Sequence, residues 1–317
     1  MKKFAFIFPG QGSQSVGMLD AWGDHPAIVD VLQEASDALS QDMGKLIREG
    51  SKEELALTTN TQPVMLVAGV AAYRAWLYEG GTPPSLVAGH SLGEFAALVA
   101  AGSLTLAQAA PLVRFRAASM QEAVPVGVGA MAAILGMAAD TVSRICTEVT
   151  DSFGRTSAET AEAVNFNDPM QTVISGSKAA VDKACEALKA AGAKRALLLP
   201  VSAPFHSSLM RPAAEKLMQR LAGVNLLTPQ IPLLNNIDVA IESDPVRIKD
   251  ALYRQAFGAV RWVESVRAIY ASGVQVMVEC GPGKVLSGMV KRINAEIASG
   301  VVLDLVSLQE SKNILID

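Results

Sequence analysis

Val87-Ala88-Gly89-His90-Ser91-Leu92-Gly93-Glu94-Phe95 reads as an apolar strand, a tight turn and the start of an apolar helix that runs on through Ala101. The turn, Gly89-His90-Ser91-Leu92-Gly93, is a G-x-S-x-G. Glycines two residues either side of a serine let strand and helix backbones approach closely. The serine is then held strained and exposed at the head of the helix. There the unpaired N–H groups and the positive end of the helix dipole stabilise an alkoxide or oxyanion. Five-residue matches also arise by chance, and Ser91 would then merely cap a glycine-rich turn. The strand before it and the helix after it favour the catalytic reading.

The chain has 317 residues, enough for one large domain with an insertion or for two domains. Half of it is hydrophobic, 18% is charged and only 5% is aromatic, which suits close helix–sheet packing in an α/β protein. A formal net charge of −4 with no dense basic run argues against a nucleic-acid partner. Cys146, Cys185 and Cys280 are scattered without C-x-x-C spacing, which suggests reduced thiols and a cytoplasmic address. The apolar run 4–8 is too short for a signal-peptide core. The stretch 123–139 is interrupted by Pro125, Gly127, Gly129 and Gly136 and falls short of the roughly 20 residues of a membrane span. It reads as loop plus strand, and no membrane association is expected.

Along the chain, 4–8 is a buried-type strand that enters the loop Pro9-Gly10-Gln11-Gly12-Ser13-Gln14. A dinucleotide fingerprint would need glycine where Ser15 stands, so this loop reads instead as one that faces the serine turn, with Gln11 helping to form an oxyanion pocket. Helices are predicted at 26–39, 52–57, 64–78 (opened by Gln62-Pro63) and 104–120 (capped by Thr105), with a strand at 85–88. Residues 130–199 follow the order β-α-β-β-α-β of a ferredoxin-like unit. Beyond it come a loop at 200–208, a helix at 210–221, a strand at 233–236 and helices at 244–257 and 262–272. A strand at 274–279, a helix from 285, a strand at 301–306 and a loose tail at 311–317 close the chain. The expected architecture is α/β: an α/β-hydrolase-like core of 1–128 and 200–317 with a mainly parallel sheet, and an inserted ferredoxin-like subdomain at 129–199.

A serine hydroxyl needs a base, and the chain has three histidines. His25 lies in a surface-like segment and reads as structural or incidental. His90 abuts Ser91, so its side chain leaves in another direction; it is a poor base and a candidate lining residue. His206, in the loop 200–208, is the base by elimination. Hydrolases with this elbow place an acid between serine and histidine, but Asp140, Asp151, Asp168 and Asp182 all fall in the inserted unit. A backbone carbonyl or amide side chain after His206 is the alternative orienting group. Arg114 and Arg116 lie among apolar helix neighbours, and spacing alone favours side chains that snorkel to water.

The chain resembles the malonyl-CoA:acyl carrier protein transacylases over essentially its whole length. The resemblance rests on Phe8-Pro9-Gly10-Gln11-Gly12-Ser13-Gln14, Gly89-His90-Ser91-Leu92-Gly93-Glu94, Arg116 with Met120-Gln121-Glu122-Ala123, Asn165-Phe166-Asn167, Phe205-His206-Ser207, Asn235-Asn236, Arg254-Gln255 and Glu279-x-Gly281-Pro282-Gly283. It implies that Ser91 carries the acyl ester, that His206 is the base and that the main-chain carbonyl of Gln255 orients it. Gln11 and Leu92 would supply oxyanion-hole N–H groups, and Asn165 and His90 would line the substrate site. Arg116 would grip the malonyl carboxylate with two parallel hydrogen bonds, which reverses the snorkelling reading. Phe205 would crowd a methyl branch and so accompany malonyl preference. The chain departs from the family pattern at Gly258-Ala259, where similar proteins often have Asn-Pro.

The implied partners are malonyl-CoA and acyl carrier protein, with no metal or redox cofactor. Nothing in the pattern demands more than a monomer. Other readings stay open: a serine esterase or thioesterase with the same elbow, an inactive carrier-docking module, or an acyltransferase that serves polyketide synthases in trans. An acidic carrier would call for a basic surface, for which Lys194, Arg195, Arg211, Lys216 and Arg220 are candidates, each alone an ordinary solvated charge.

Overall fold

The computed structural model describes residues 1–154, 156–201 and 203–316. The chain opens with β1 (Phe4–Phe8), α1 (Pro26–Leu39), α2 (Met43–Glu49), α3 (Lys52–Ala56) and α4 (Thr58–Tyr78). β2 (Leu86–Gly89), α5 (Gly93–Ala100) and α6 (Leu106–Glu122) follow. Next come β3 (Gly129–Leu135), α7 (Ala139–Ser152), β4 (Ala161–Asp168), β5 (Gln171–Ser177), α8 (Lys178–Ala190) and β6 (Arg195–Leu198). The remainder holds α9 (Arg211–Ala222), β7 (Leu233–Leu234), α10 (Pro245–Gln255), α11 (Trp262–Ala271), β8 (Val276–Cys280), α12 (Val285–Ile293), β9 (Ala298–Val302) and α13 (Leu305–Ile316).

The strands form two sheets. The larger runs β7-β2-β1-β8-β9 with every pair parallel, and the smaller runs β4-β5-β3-β6 with every pair antiparallel. The α/β class with a mainly parallel sheet is as expected from the sequence.

β1 shows why the larger sheet forms. All five of its residues are buried, as a central parallel strand covered on both faces requires. Its period of two sends Phe4, Phe6 and Phe8 to one face and Ala5 and Ile7 to the other. Phe6 meets Trp76 of α4 edge-to-face at 5.2 Å, while Ile7 shares the opposite cluster with Trp262 and Met277. The smaller sheet packs one face on α7 and α8 through Ile134, Ile174 and Leu188. From its other face Met131, Val164 and Val173 join the main core. The seam between the two sheets is where the site lies.

Two predicted elements change. The helix expected over 64–78 begins six residues earlier, at Thr58, and Pro63 sits inside it. Pro63 cannot donate to the preceding turn, but Asn60 and Thr61 both donate to the Leu57 carbonyl, so the first turn forms before the proline matters. Residues expected as a strand at 301–306 and a loose tail at 311–317 instead end in β9 and continue as α13, with residue 317 outside the described residues. Asp304 caps α13 through the Ser307 N–H at 2.7 Å, and Ser311 bonds both the N–H and the carbonyl of Val301, tying the helix to the sheet. His25 is also buried rather than on the surface. It lies between Trp22 and Tyr78 and pairs with Glu79 at 3.2 Å.

β2 and α5 meet at the serine turn. A Cβ on Gly89 would run into the main chain of Gly93, and one on Gly93 into the Phe8 carbonyl. Neither backbone can retreat without opening the central sheet. Gly89→Ala is therefore expected to destabilise the fold by about 3 kcal/mol or more, lowering the thermal midpoint by roughly 4–5 °C or more. A calorimetric midpoint within about 2 °C of wild type would contradict this close approach.

Candidate active site

The turn between β2 and α5 holds Ser91 at φ 51°, in the left-handed region that non-glycine residues avoid. Asn236, in the loop after β7, holds it there. Its Oδ1 accepts from the Ser91 N–H at 2.7 Å, and its Nδ2 donates to the Gly89 carbonyl at 2.6 Å. The two bonds clamp the residues either side of His90 and so brace the strained turn.

His206 also has positive φ, 65°, and is buried in the loop ahead of α9. Its Nε2 lies 2.7 Å from the Ser91 Oγ. Its Nδ1 lies 2.9 Å from the Gln255 carbonyl and 3.2 Å from the Gly258 carbonyl. Carbonyls only accept, so Nδ1 must carry the hydrogen, which leaves Nε2 free to accept from the serine hydroxyl. No acid is needed to set that tautomer. Asp168, one of the four aspartates between serine and histidine in sequence, pairs instead with Arg292 at 2.6 Å.

Arg116 of α6 is 2% exposed, so it does not snorkel. Its Nη2 donates to the Ser91 Oγ at 3.2 Å and to the Gln255 side-chain oxygen at 3.1 Å. Its Nη1 donates to Gln62 at 2.7 Å, and its Nε has no partner among the described residues. Burial lowers its pKa to about 10, with Glu94 opposing, so it remains a cation at neutral pH. The His206 pKa falls to about 3, first through burial, then through the Arg116 charge; the Gln255 carbonyl opposes. A hydroxyl bonded to a neutral imidazole, beside a buried cation, is equipped for nucleophilic attack on an acyl carbon that carries an anionic tail.

Gln11, His90, Leu92, Asn165 and Phe205 share one cavity of about 110 Å³ with Ser91, Arg116 and His206. Gln255 stands behind it. Among the described residues the N–H groups of Gln11 and Leu92 have no protein acceptor, and Leu92 stands at the N-terminus of α5. The His90 side chain does turn away from Ser91, with Nε2 2.8 Å from the Asn167 Oδ1. Gly258 fits tightly, since a Cβ there would press on Ile237 and the Arg254 carbonyl. The basic candidates divide. Lys194 and Arg195 border the smaller sheet, whereas on α9 Arg211 and Arg220 lie over Phe257 and Phe115 and Lys216 pairs with Glu122. Among the described residues no group of three or more His, Cys, Asp or Glu is placed to hold a metal ion.

Sequence reasoning assigned no role to Gln62, Asn236 or Glu94, which form the polar bed of the site. Their signals were a glutamine ahead of a helical proline, a pair of asparagines after a strand, and a lone acid in an apolar helix.

The acyl transferase domain family model matches residues 5–310. The malonyl CoA-acyl carrier protein transacylase of Salmonella typhimurium is 49% identical over 294 residues, 92% of this chain and 93% of that protein. The crystal structure of an acyl-carrier-protein S-malonyltransferase from Burkholderia pseudomallei is 59% identical and superposes with a TM-score of 0.95, covering 98% of this chain and 99% of that one. A malonyl-transacylase solved in complex with its type II PKS acyl-carrier protein is 47% identical, with a TM-score of 0.94 over 98% of this chain and 99% of that one. By sequence, fold and extent, the chain belongs to the acyl transferase domain family and, within it, to the malonyl CoA-acyl carrier protein transacylases.

Proposed function

We propose that this acyltransferase moves a malonyl group from coenzyme A to the phosphopantetheine thiol of acyl carrier protein through a malonyl ester on Ser91. One observation carries the reading: the Ser91 Oγ sits 2.7 Å from the His206 Nε2 and 3.2 Å from the buried Arg116 Nη2. A base and an anion receptor converge on one hydroxyl.

His206 takes the Ser91 proton as Oγ attacks the thioester carbonyl. The oxyanion is held by the N–H groups of Gln11 and Leu92, each worth about 3 kcal/mol of barrier by comparison with other oxyanion holes. Collapse breaks the C–S bond, and His206 returns the proton to the departing CoA thiolate. In the second half the carrier's thiol gives its proton to His206 and attacks the ester carbonyl, and Ser91 leaves with that proton. The chemistry is acyl and proton transfer and calls on no metal or redox cofactor.

Arg116 receives the malonyl carboxylate, and its orphaned Nε supports this role, because an unpaired buried N–H is costly unless a ligand uses it. Pairing also cancels one cause of the low His206 pKa, so the substrate's own charge strengthens the base. Phe205, with Met120 and Met131, narrows the cavity against a branched acyl group, and His90 and Asn165 complete the lining.

We read the larger sheet with its helices, 1–128 and 200–317, as an α/β-hydrolase-like core, and 129–199 as an inserted ferredoxin-like unit. The strand order β4-β5-β3-β6 supports the second reading. Three free, buried cysteines support a cytoplasmic address, and we take the working unit to be a monomer. Among the described residues no helix is long and apolar enough to cross a membrane.

Ser91→Ala should abolish both the malonyl-enzyme adduct, read by intact-protein mass spectrometry, and carrier-dependent transfer. An adduct that persists on the variant excludes Ser91 as nucleophile. Arg116→Ala should cut malonyl kcat/KM at least 100-fold while acetyl transfer falls far less, since only malonyl loses a charged partner. Equal loss of both would remove the carboxylate grip. Because the His206 pKa is lowered, the base is lost only as pH falls toward about 3. Wild-type kcat/KM should therefore not fall between pH 8 and 5, and a decline centred near 6.5 would contradict the burial of the imidazole.

A further inference from the structure

Glu94, the second residue of α5, is fully buried and no step above uses it. Its Oε2 accepts from the Gln255 Nε2 at 2.9 Å and from the Asn236 N–H at 3.1 Å, while its Oε1 has no partner among the described residues. The same Gln255 amide presents its oxygen to the Arg116 Nη2 at 3.1 Å, and its Nε2 also donates to the Ser91 carbonyl at 3.0 Å. The amide is thus polarised along a line from carboxylate to guanidinium. Flipped, it would set oxygen against carboxylate and N–H against guanidinium. Arg116 makes its side-chain bonds to Gln62, Gln255 and Ser91, all neutral. A buried cation so placed needs a counter-charge, and Glu94 is the acid wired to it.

We propose that Glu94 is the resident counter-charge of Arg116, relayed through the Gln255 amide, and that it competes with the substrate carboxylate and so sets how strongly the enzyme prefers malonyl over uncharged acyl groups. Glu94 is a positioning residue here, since it reaches substrate only through Gln255 and Arg116. The inference rests on the reading of Arg116 given above.

The charged groups around Glu94 are few. Arg116 of α6 pulls its pKa down. Asp238, in the loop after β7, pushes it up but is itself paired with Arg254 of α10 at 2.7 Å. His206, from the loop ahead of α9, stays neutral with its pKa near 3. Burial outweighs the rest and raises Glu94 to about 7, and the unpartnered Oε1 is free to carry the proton. Above that pH the carboxylate is charged and opposes a second anion at Arg116. Below it, Arg116 is left to the substrate.

The test compares initial rates with malonyl-CoA and acetyl-CoA, holo acyl carrier protein as acceptor, in wild type and Glu94→Gln. The variant keeps the size and an oxygen for the Gln255 and Asn236 donors and removes the charge. At pH 8 the ratio of malonyl to acetyl kcat/KM should rise roughly three- to tenfold in the variant. In wild type the ratio should fall as pH rises from 6 to 8.5, and in the variant it should stay flat. Use of the ratio cancels any effect common to both substrates, including His206 and simple loss of fold. A variant that slows both substrates equally, or a wild-type ratio flat across that pH range, overturns the proposal, and the wild-type series needs no variant to fold. Failure of the underlying reading would look different, because Arg116→Ala would then lower malonyl and acetyl transfer equally.

Discussion

Two main chains touch where Gly93 meets the Phe8 carbonyl, and the working parts of the molecule depend on that contact. With no side chain at 89 or 93, the head of α5 drops onto the ends of β1 and β2, and the link between them must turn sharply through Ser91. A left-handed serine costs roughly 1–2 kcal/mol and persists only if its surroundings insist on it. They do so through Asn236, which bonds both Ser91 and Gly89, and which Glu94 in turn holds by its main-chain N–H. The strain is local, while its restraint comes from a loop about 145 residues away in the chain.

The electrostatics are sparing. One guanidinium lies buried among amides, one imidazole is kept neutral, and one carboxylate stands a single amide away. Such an arrangement leaves the cation underused within the protein and available to a ligand. It also lets a change of charge at one point reach its neighbours, because little water intervenes to screen it. The smaller sheet closes the cavity from the other side. It is latched by His90 to Asn167, Arg292 to Asp168, and the Val260 main chain to Val164 and Phe166.

What could be read from the sequence follows the range of the forces involved. β1 was visible because an uninterrupted apolar pentapeptide has few other uses, and the serine elbow because its glycines sit within five residues. The β-α-β-β-α-β order was visible through a local hairpin and alternating patterns. The start of α4 was hidden by Pro63, whose usual meaning is a boundary, and α13 by a cap made from Asp304 and Ser307 in an otherwise unremarked segment. The bed of the site was out of reach, since Gln62 finds Arg116 across 54 residues and Glu94 finds Gln255 across 161. Arg116 shows the limit well. Its spacing suits a side chain reaching for water, and only the family resemblance and then the burial itself reverse that.

In a Ser-His-Asp enzyme, replacing one carboxylate erases the third member of the relay. Here the imidazole is steered by main-chain oxygens at Gln255 and Gly258, and every amino acid carries such an oxygen. Side-chain scanning of this loop will therefore never delete that partner. The proposed catalytic machinery thus has one component encoded by the path of the backbone rather than by any codon, and only changes that bend residues 255–258 can reach it.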